Sequence, residues 1–351
     1  MNELLAKVRN WYKQRPAWFI GGALLLLSIV FFAVLQNSPS DNARQSRLAA
    51  INQVKLDYGI TQPLPEQVEL NAEKVALGER LFRDPRLSGN DTVSCASCHN
   101  LQLGGVDGLA HSVGINGGLS AVNAPTVFNS GFNFVQFWDG RAATLEEQID
   151  GPVNNPKEMG SNWQQVIGKL NQDKTYLTQF RHLYSVGISP GNIKDAIATF
   201  ERSLITPNSR FDQFLRGNKA ALSEQAQNGF VLFQSYGCAS CHQGINLGGN
   251  MFEKMGLLGD YFADRGNETE ADIGRFQVTR NPEHMHEFKV PSLRNVARTA
   301  PYFHDGNAQT LQQAVATMAR YQLGRNLTSD EIADICAFLE SLTGEYQGKS
   351  L

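Results

Sequence analysis

The sequence predicts a mainly α-helical protein in which two domains of similar plan follow a single N-terminal transmembrane helix. Apolar residues recur at helical spacing along much of the chain, residues 193–204 being one clear case, and we find no run of alternating strand residues. The order of a helix, a loop and the pentapeptide Cys-Ala-Ser-Cys-His occurs twice, which indicates a two-copy repeat. Residues 17–35 carry no charged side chain. Together these three observations predict the fold class.

The uncharged segment, residues 17–35, is long enough to cross a bilayer, because 19 helical residues span about 28 Å. Residues 1–16 hold four basic side chains against one acidic one, and a basic flank of this kind stays in the cytoplasm. We therefore expect an uncleaved single-pass anchor with the rest of the chain outside the cytoplasm. A cleaved signal peptide is the alternative, but no small-x-small cleavage site follows the segment closely.

The remaining chain divides into a linker and two repeats. Residues 36–70 are polar and contain three prolines, which is typical of a linker. The N-terminal domain, residues 71–212, begins with a predicted helix near residues 76–82. The C-terminal domain, residues 213–351, begins with a similar helix near residues 226–233.

The repeated pentapeptide is a C-x-x-C-H motif, the attachment site of a c-type haem. Its two thiols form thioethers with the porphyrin, and its histidine binds the iron. A thioredoxin-type motif would need a βαβ context, and a four-cysteine zinc site would have its halves about 15–20 residues apart. Neither alternative explains the histidine in both copies. The predicted haem-binding residues are Cys95, Cys98 and His99 in the first copy, and Cys238, Cys241 and His242 in the second.

The net charge excludes one class of function, and the fifth cysteine lies outside both haem motifs. A net charge of −3 gives no basic surface for nucleic acid. Cys336 lies in residues 327–339, an apolar stretch of helical period, so we expect a buried, inert thiol. This stretch has the form of the closing helix of cytochrome c domains. Both repeats are therefore predicted to be cytochrome c-like haem domains.

Several stretches outside the haem motifs resemble the bacterial dihaem cytochrome c peroxidases. The resemblance covers roughly residues 70–345. It is carried by NAPTVFN at residues 123–129, QFWDGR at 136–141, TPNSRFD at 206–212, PSLRNVA at 291–297 and TAPYFHDG at 299–306. The resemblance implies two haem domains, a calcium ion at their interface, and reduction of hydrogen peroxide to water.

The resemblance also implies which haem does what. The second haem transfers electrons, and its sixth ligand is implied to be Met318, because a methionine opposite histidine raises the potential. A gap-filling core methionine is the alternative for Met318. The first haem is the implied peroxide site. There Glu158 moves a proton between the peroxide oxygens, and Gln148 shapes the pocket. A solvated loop carboxylate is the alternative for Glu158.

One position departs from better-known members of the family. Many of these enzymes rest with a second histidine on the peroxidatic iron, supplied by the glycine-rich loop, here residues 104–118. In this chain that position falls at Ile115, which cannot bind iron, and His111 lies four residues earlier. The need for reductive activation is therefore in doubt for this sequence.

Three further roles follow from the resemblance alone. Trp138 is implied to carry electrons between the haems, a role compatible with that of a buried interface aromatic. Calcium is implied to bind the Asn123 side chain and the carbonyl groups of Thr299 and Pro301, neutral oxygens that suit a hard cation. His304 is expected to be a core or propionate-contacting histidine rather than an iron ligand.

The sequence thus predicts a peroxidase that takes electrons from a cytochrome c, a membrane quinol or another respiratory donor. We expect it on the periplasmic side of a bacterial inner membrane, and a homodimer is one expectation because dimers are common in the family. Two alternatives remain open. One is a relative that oxidises a protein substrate through a high-valent haem, and the other is a non-enzymatic dihaem electron carrier.

Overall fold

A computed structural model describes residues 61–351. The predicted tail and transmembrane segment, residues 1–35, and most of the predicted linker lie outside the described residues. Between residues 61 and 351, no helix has the length and apolar character that a membrane crossing needs. Residues 61–70 pack onto the folded unit, where Leu64 is fully buried.

The first half of the described chain is built from helices and short 3₁₀ turns. Its helices are α1 (Ala72–Phe82), α2 (Cys95–Cys98), α3 (Leu145–Asn154), α4 (Trp163–Leu170), α5 (Lys174–Leu183), α6 (Pro190–Ser203) and α7 (Arg210–Leu215). Polar caps start the longer ones, as at α1, where Asn71 Oδ1 accepts from the Lys74 N–H at 3.0 Å. The predicted helices near residues 76–82 and 193–204 are confirmed.

The second half follows the same plan with small sheets added. Its helices are α8 (Glu224–Ser235), α9 (Tyr261–Arg265), α10 (Phe276–Thr279), α11 (Leu311–Leu323) and α12 (Ser329–Glu340). Two antiparallel pairs join β1 (Phe252–Lys254) to β2 (Glu287–Lys289), and β3 (Glu345–Tyr346) to β4 (Lys349–Ser350). Cys336 lies on α12 and is 3% exposed, as expected.

A crossing of two helices is repeated in the two halves. Helix α1 crosses α6 where Gly78 meets the Ala196 carbonyl, and α8 crosses α12 where Gly229 meets the Asp334 carbonyl. In both crossings a Cβ on the glycine would collide with that backbone, so only glycine lets the helices approach so closely. One turn further on, Phe82 pairs with Phe200 at 5.3 Å and Phe233 with Phe338 at 5.1 Å between ring centroids. The predicted two-copy repeat is therefore a repeat of structure.

The junction of the halves contains a fully buried ion pair. Arg294 Nη1 donates to Asp212 Oδ1 at 2.7 Å, and both side chains are fully buried. The same carboxylate oxygen accepts from the Leu64 N–H at 3.1 Å, and Arg294 Nη2 donates to the Gln62 carbonyl at 2.9 Å. The start of the described chain is thus held to residues from both halves.

Candidate functional site

The second motif occupies a 3₁₀ turn, Cys238–Ser240, directly after α8. The His242 ring lies 3.2 Å from the Leu247 carbonyl through Nδ1. A carbonyl oxygen can only accept, so Nδ1 carries the hydrogen and Nε2 keeps its lone pair. Burial lowers the pKa of His242 to about 4, which keeps the ring neutral. His242 therefore has the tautomer and charge of an iron ligand.

A cavity of about 460 Å³ lies beside this turn and is called the second cavity, after the second motif. Cys238, Cys241 and His242 line it, and Met318 on α11 reaches the same cavity. Most of the remaining lining is apolar, which suits a porphyrin ring. Thiols, a neutral imidazole and a thioether around one apolar cavity are the donor set of a haem c with histidine and methionine ligands.

Lys289 is a second feature of this cavity that suits a haem. It lines the cavity, is 6% exposed, and Nζ makes no hydrogen bond or ion pair within residues 61–351. Burial lowers the pKa of Lys289 to about 8. A buried ammonium needs an anionic partner, and the propionate carboxylates of a haem would supply one.

The first motif forms α2 and places its donors in the same way. The Ser94 N–H donates to Ser97 Oγ at 3.0 Å and starts this short helix. His99 Nδ1 lies 3.3 Å from the Gly105 carbonyl, so its Nε2 is again the free nitrogen. Burial raises the pKa of the Cys95 thiol to about 12, and Cys95 packs against the core of this half. These residues fit a second haem c.

Glu158 follows α3 in a turn closed by a hydrogen bond from its own N–H to the Asn155 carbonyl at 3.0 Å. Its side chain is half-buried, and Oε1 accepts from Asn155 Nδ2 at 2.7 Å. Burial raises the pKa of Glu158, although the Asn155 hydrogen bond and the charge of Arg141 oppose the shift. Glu158 is therefore a carboxyl group with a raised pKa, suited to exchanging a proton.

The glycine-rich loop lies against the segment that carries Glu158. The Ile115 N–H donates to the Glu158 carbonyl at 2.8 Å. Gly114 packs so closely on the Lys157 and Glu158 backbone that a Cβ there would collide. Ile115 is 8% exposed and its side chain contacts Gly160. His111 is exposed instead, with Nδ1 3.0 Å from the Ser120 carbonyl.

Gln148 and Trp138 occupy different surroundings. Gln148 is half-buried on α3, and among residues 61–351 no hydrogen bond joins its side chain to Glu158. Trp138 Nε1 donates to the Asn123 carbonyl at 2.9 Å, and its own carbonyl accepts from the Lys289 N–H at 2.7 Å. Trp138 also lines the second cavity. It therefore connects a segment of the first half to the second haem pocket.

Comparison with known proteins places this geometry in a family. The family model described as di-haem cytochrome c peroxidase matches residues 72–220. The cytochrome c551 peroxidase of Nitrosomonas europaea is 45% identical over 289 residues, which cover 81% of this chain and 84% of that protein. The chain belongs to the di-haem cytochrome c peroxidase family. Membership in this family implies haem c as the cofactor.

Two further proteins are similar to this chain. Cytochrome c peroxidase Ccp of Escherichia coli is 52% identical over 286 residues, which cover 81% of this chain but 61% of that protein. A MauG-like protein associated with microbial copper homeostasis has a similar crystal structure, with a TM-score of 0.69 and 31% identity. That similarity covers 83% of this chain and 95% of the other. This similarity confirms the mainly helical fold that the sequence predicts.

The residues implied to bind calcium in this di-haem peroxidase line the second cavity together. Asn123, Thr299 and Pro301 all contribute to its wall. Asn123 Nδ2 donates to the Leu109 carbonyl at 2.8 Å, which leaves Oδ1 as its side-chain acceptor. Their clustering is compatible with a shared cation, and calcium stays a prediction.

A second cluster of potential metal ligands already has its own cation. Asp272, His304 and Asp305 lie within ligand distance of one another. Arg265 donates to Asp272 Oδ2 at 2.7 Å and to Asp305 Oδ2 at 2.5 Å, so a guanidinium occupies this place. His304 Nε2 lies 2.6 Å from Asp272 Oδ1, and the ring stacks on Phe288. His304 is thus a buried core histidine that also lines the second cavity, as expected.

Sequence reasoning missed two buried charged residues, Lys289 and Glu201. Lys289 interrupts the apolar run Phe288–Val290, and Glu201 lies on the buried face of α6. A charged residue within an apolar period is a signal that could have found both. The contact of Asp272 with His304 gives no such signal, because the two residues lie 32 positions apart in the chain.

Proposed function

We propose that this protein is a membrane-anchored dihaem peroxidase that reduces hydrogen peroxide to water in the periplasm. One observation carries the proposal: two haem c motifs lie in one chain, and a half-buried carboxyl, Glu158, packs against the loop that follows the first. The raised pKa of Glu158 suits a proton-transfer group, which an electron carrier would not need.

The haem-binding roles follow the two motifs. Cys95 and Cys98 would hold the first haem with His99 as its iron ligand. Cys238 and Cys241 would hold the second, with His242 and Met318 as its iron ligands. When bound, the second haem supplies one-electron transfer and the first supplies an iron that binds and reduces peroxide. The chain provides the surrounding acid–base and electron-transfer groups.

Glu158 has the central acid–base role. Reduction of one hydrogen peroxide to two waters consumes two electrons and two protons. Cleavage of the O–O bond is eased when a proton leaves the near oxygen and reaches the far one. Ionised Glu158 would accept that proton and pass it on, while Asn155 orients the carboxyl through its 2.7 Å hydrogen bond. Gln148 would shape the same pocket from α3.

Trp138 is the proposed link between the two sites. Its indole lines the second cavity, and it is tied to Asn123 in the first half by the 2.9 Å hydrogen bond. A polarisable aromatic ring between two redox centres shortens the gap that an electron has to cross. Calcium at Asn123, Thr299 and Pro301 would stabilise the same junction.

The donor, the anchor and the assembly are also part of the proposal. Electrons would come from a cytochrome c or a membrane quinol, since residues 17–35 have the length and composition of a membrane anchor. Division into domains at residues 71–212 and 213–351, and a homodimer, remain proposals on family grounds.

Oxidation of a protein substrate is the second candidate, because a MauG-like structure is 31% identical to this chain. Enzymes of that type are expected to carry a tyrosine where this chain offers Met318 as the distal ligand of the second haem. Met318 lines the haem cavity here, which favours the peroxidase.

A donor screen tests the proposal directly. The purified full-length protein is mixed with hydrogen peroxide and either a reduced small cytochrome c or a quinol in detergent. We expect peroxide-dependent oxidation, with two cytochromes oxidised per peroxide. Peroxide consumption without turnover of any donor, or none at all, would contradict the peroxidase.

A further inference from the structure

Glu201 occupies the same place in the first half as Leu339 in the second. The crossings of α1 with α6 and of α8 with α12 set this register, through Phe200 and Phe338. The next matching pair agrees, because Ser203 Oγ donates to the Phe200 carbonyl and Ser341 Oγ to the Phe338 carbonyl, both at 2.6 Å. Counting one residue on from each phenylalanine aligns Glu201 with Leu339.

Leu339 shows what this place faces. It is 4% exposed and lines the cavity of the second motif, together with Cys238 and His242. Glu201 therefore brings a carboxyl group to the corresponding wall of the first haem pocket. A charge on Glu201 also raises the pKa of the Cys95 thiol, which indicates that the two side chains lie near each other.

The carboxyl of Glu201 lacks the partners that buried acids normally have. Glu201 is 6% exposed, and Oε2 has no hydrogen-bond partner within residues 61–351. Its neighbour Arg202 forms an ion pair with Glu146 at 2.8 Å. A buried, unpaired carboxylate is costly, so the neutral acid is favoured.

Two charged side chains act on Glu201. Burial raises its pKa to about 8, Arg202 on α6 opposes the shift, and Glu146 on α3 adds to it. Cys95 on α2 is the third nearby group, and its sulfur carries no charge once it is a thioether of the proposed haem. A group in this balance can change protonation when the charge of the pocket changes by one unit.

We propose that Glu201 binds and releases a proton in step with the redox state of the first haem pocket. This inference rests on the proposed attachment of a haem through Cys95 and Cys98. At a pH between the pKa values that Glu201 has beside the oxidised and the reduced haem, Glu201 takes one proton from solvent when one electron enters the pocket, and the net charge of the pocket is unchanged. When the electron leaves, the proton returns to solvent. The proton thus compensates the charge of each electron at this site.

The test is the reduction potential of the first haem as a function of pH, measured by spectroelectrochemistry from about pH 6 to about pH 10. In the wild type we expect the potential to fall as pH rises, because an ionised Glu201 stabilises the oxidised haem. In Glu201→Gln and in Glu201→Leu the potential should lose this pH dependence. Leucine is the residue that the second half carries at this position, where α8 crosses α12. The leucine variant therefore removes the charge and introduces a side chain that the equivalent helix crossing accommodates.

Two controls make the result specific. Glu146→Gln removes the other nearby carboxylate, and the first haem should keep its pH dependence. The second haem should not respond to either Glu201 substitution. Proton uptake on reduction, followed with a pH indicator in weak buffer, should be smaller in both Glu201 variants than in the wild type.

The inference fails if the wild-type potential is independent of pH over this range, or if Glu201→Gln keeps the wild-type slope. That failure is distinct from failure of the proposed function. Loss of the peroxidase would appear as absent turnover in the wild type, whereas the potential of each haem is measured without peroxide.

Discussion

Glu158 combines two features at the scale of a single residue: a carboxyl oriented by Asn155 and a pKa raised by burial. Either feature alone occurs in many structural acids. Together they suit a group that has to hold a proton briefly and then lose it. The Ile115 N–H donates to the Glu158 carbonyl, so this acid lies beside the glycine-rich loop.

Substitution of Glu158→Gln keeps the size of the side chain and removes its titration. We expect peroxidase kcat/KM to fall by about 10²–10⁴-fold, the usual contribution of general acid–base catalysis. In the wild type, kcat/KM should rise with pH through the raised pKa of Glu158, because the ionised form accepts the proton. Steady-state kinetics across pH measure both effects.

The matched control for this change is Glu283→Gln, which alters an exposed acid elsewhere. It should leave kcat/KM and its pH profile at wild-type values. Wild-type activity in Glu158→Gln with both haem spectra intact would assign Glu158 to the solvated-carboxylate alternative.

Met318 makes the second prediction at this scale. Met318→His should keep the second haem six-coordinate and lower its potential, because a thioether favours ferrous iron more than an imidazole does. Spectroelectrochemistry measures the shift, and Met285→His, in a half-buried turn away from α11, is the control. Unchanged potentials in Met318→His would remove Met318 from the iron.

At the scale of elements, the loop of residues 104–118 is predicted to distinguish this chain from relatives that rest with a histidine on the first iron. Ile115 takes the buried position next to Glu158, whereas His111 is exposed and bonded to Ser120. An isoleucine at this point leaves the loop packed through apolar contact with Gly160 and one backbone hydrogen bond.

We therefore expect the oxidised protein to show a high-spin ferric component and to react with peroxide without prior reduction. Ile115→His should convert the first haem to low spin and impose a reductive lag. EPR of the oxidised protein and rapid mixing with peroxide measure these properties. His111→Ala is the control and should change neither. Two low-spin haems in the wild type, inert until one electron is added, would mean that another residue binds the first iron.

The elements also show what sequence patterns can predict. Helices α1, α6, α8 and α12 were predictable because each repeats its apolar residues at helical spacing. The pairing of Asp272 with His304 was not predictable, since the two residues lie 32 positions apart in the chain. Such partners are set by the folded chain, and no local pattern encodes them.

At the scale of the whole molecule, the two motifs predict that each folded chain carries two covalent haems. Intact-mass measurement after acid denaturation should show two haem additions. Changing Cys95 and Cys98 to alanine should leave one. Changing Cys336 to alanine should leave two, because that thiol is buried in α12 outside both motifs. A single addition in the wild type would contradict the dihaem architecture.

The repeat made the overall arrangement predictable, but the differences between its copies were not. Gly78 and Gly229, or Phe82 and Phe233, can be matched in the sequence because the residues are alike. Glu201 and Leu339 are unlike, and the matched helix crossings reveal that they hold equivalent places.

The buried pair of Arg294 and Asp212 restricts how genes of this kind can recombine. A chimera that joins the first half of one relative to the second half of another keeps both haem motifs but can separate this arginine from its carboxylate. Loss of one partner from a fully buried pair costs about 3–5 kcal/mol, a large part of the stability of an ordinary domain. Grafting is therefore expected to succeed only between parents that carry both residues, so the two halves are inherited together although each has its own haem motif.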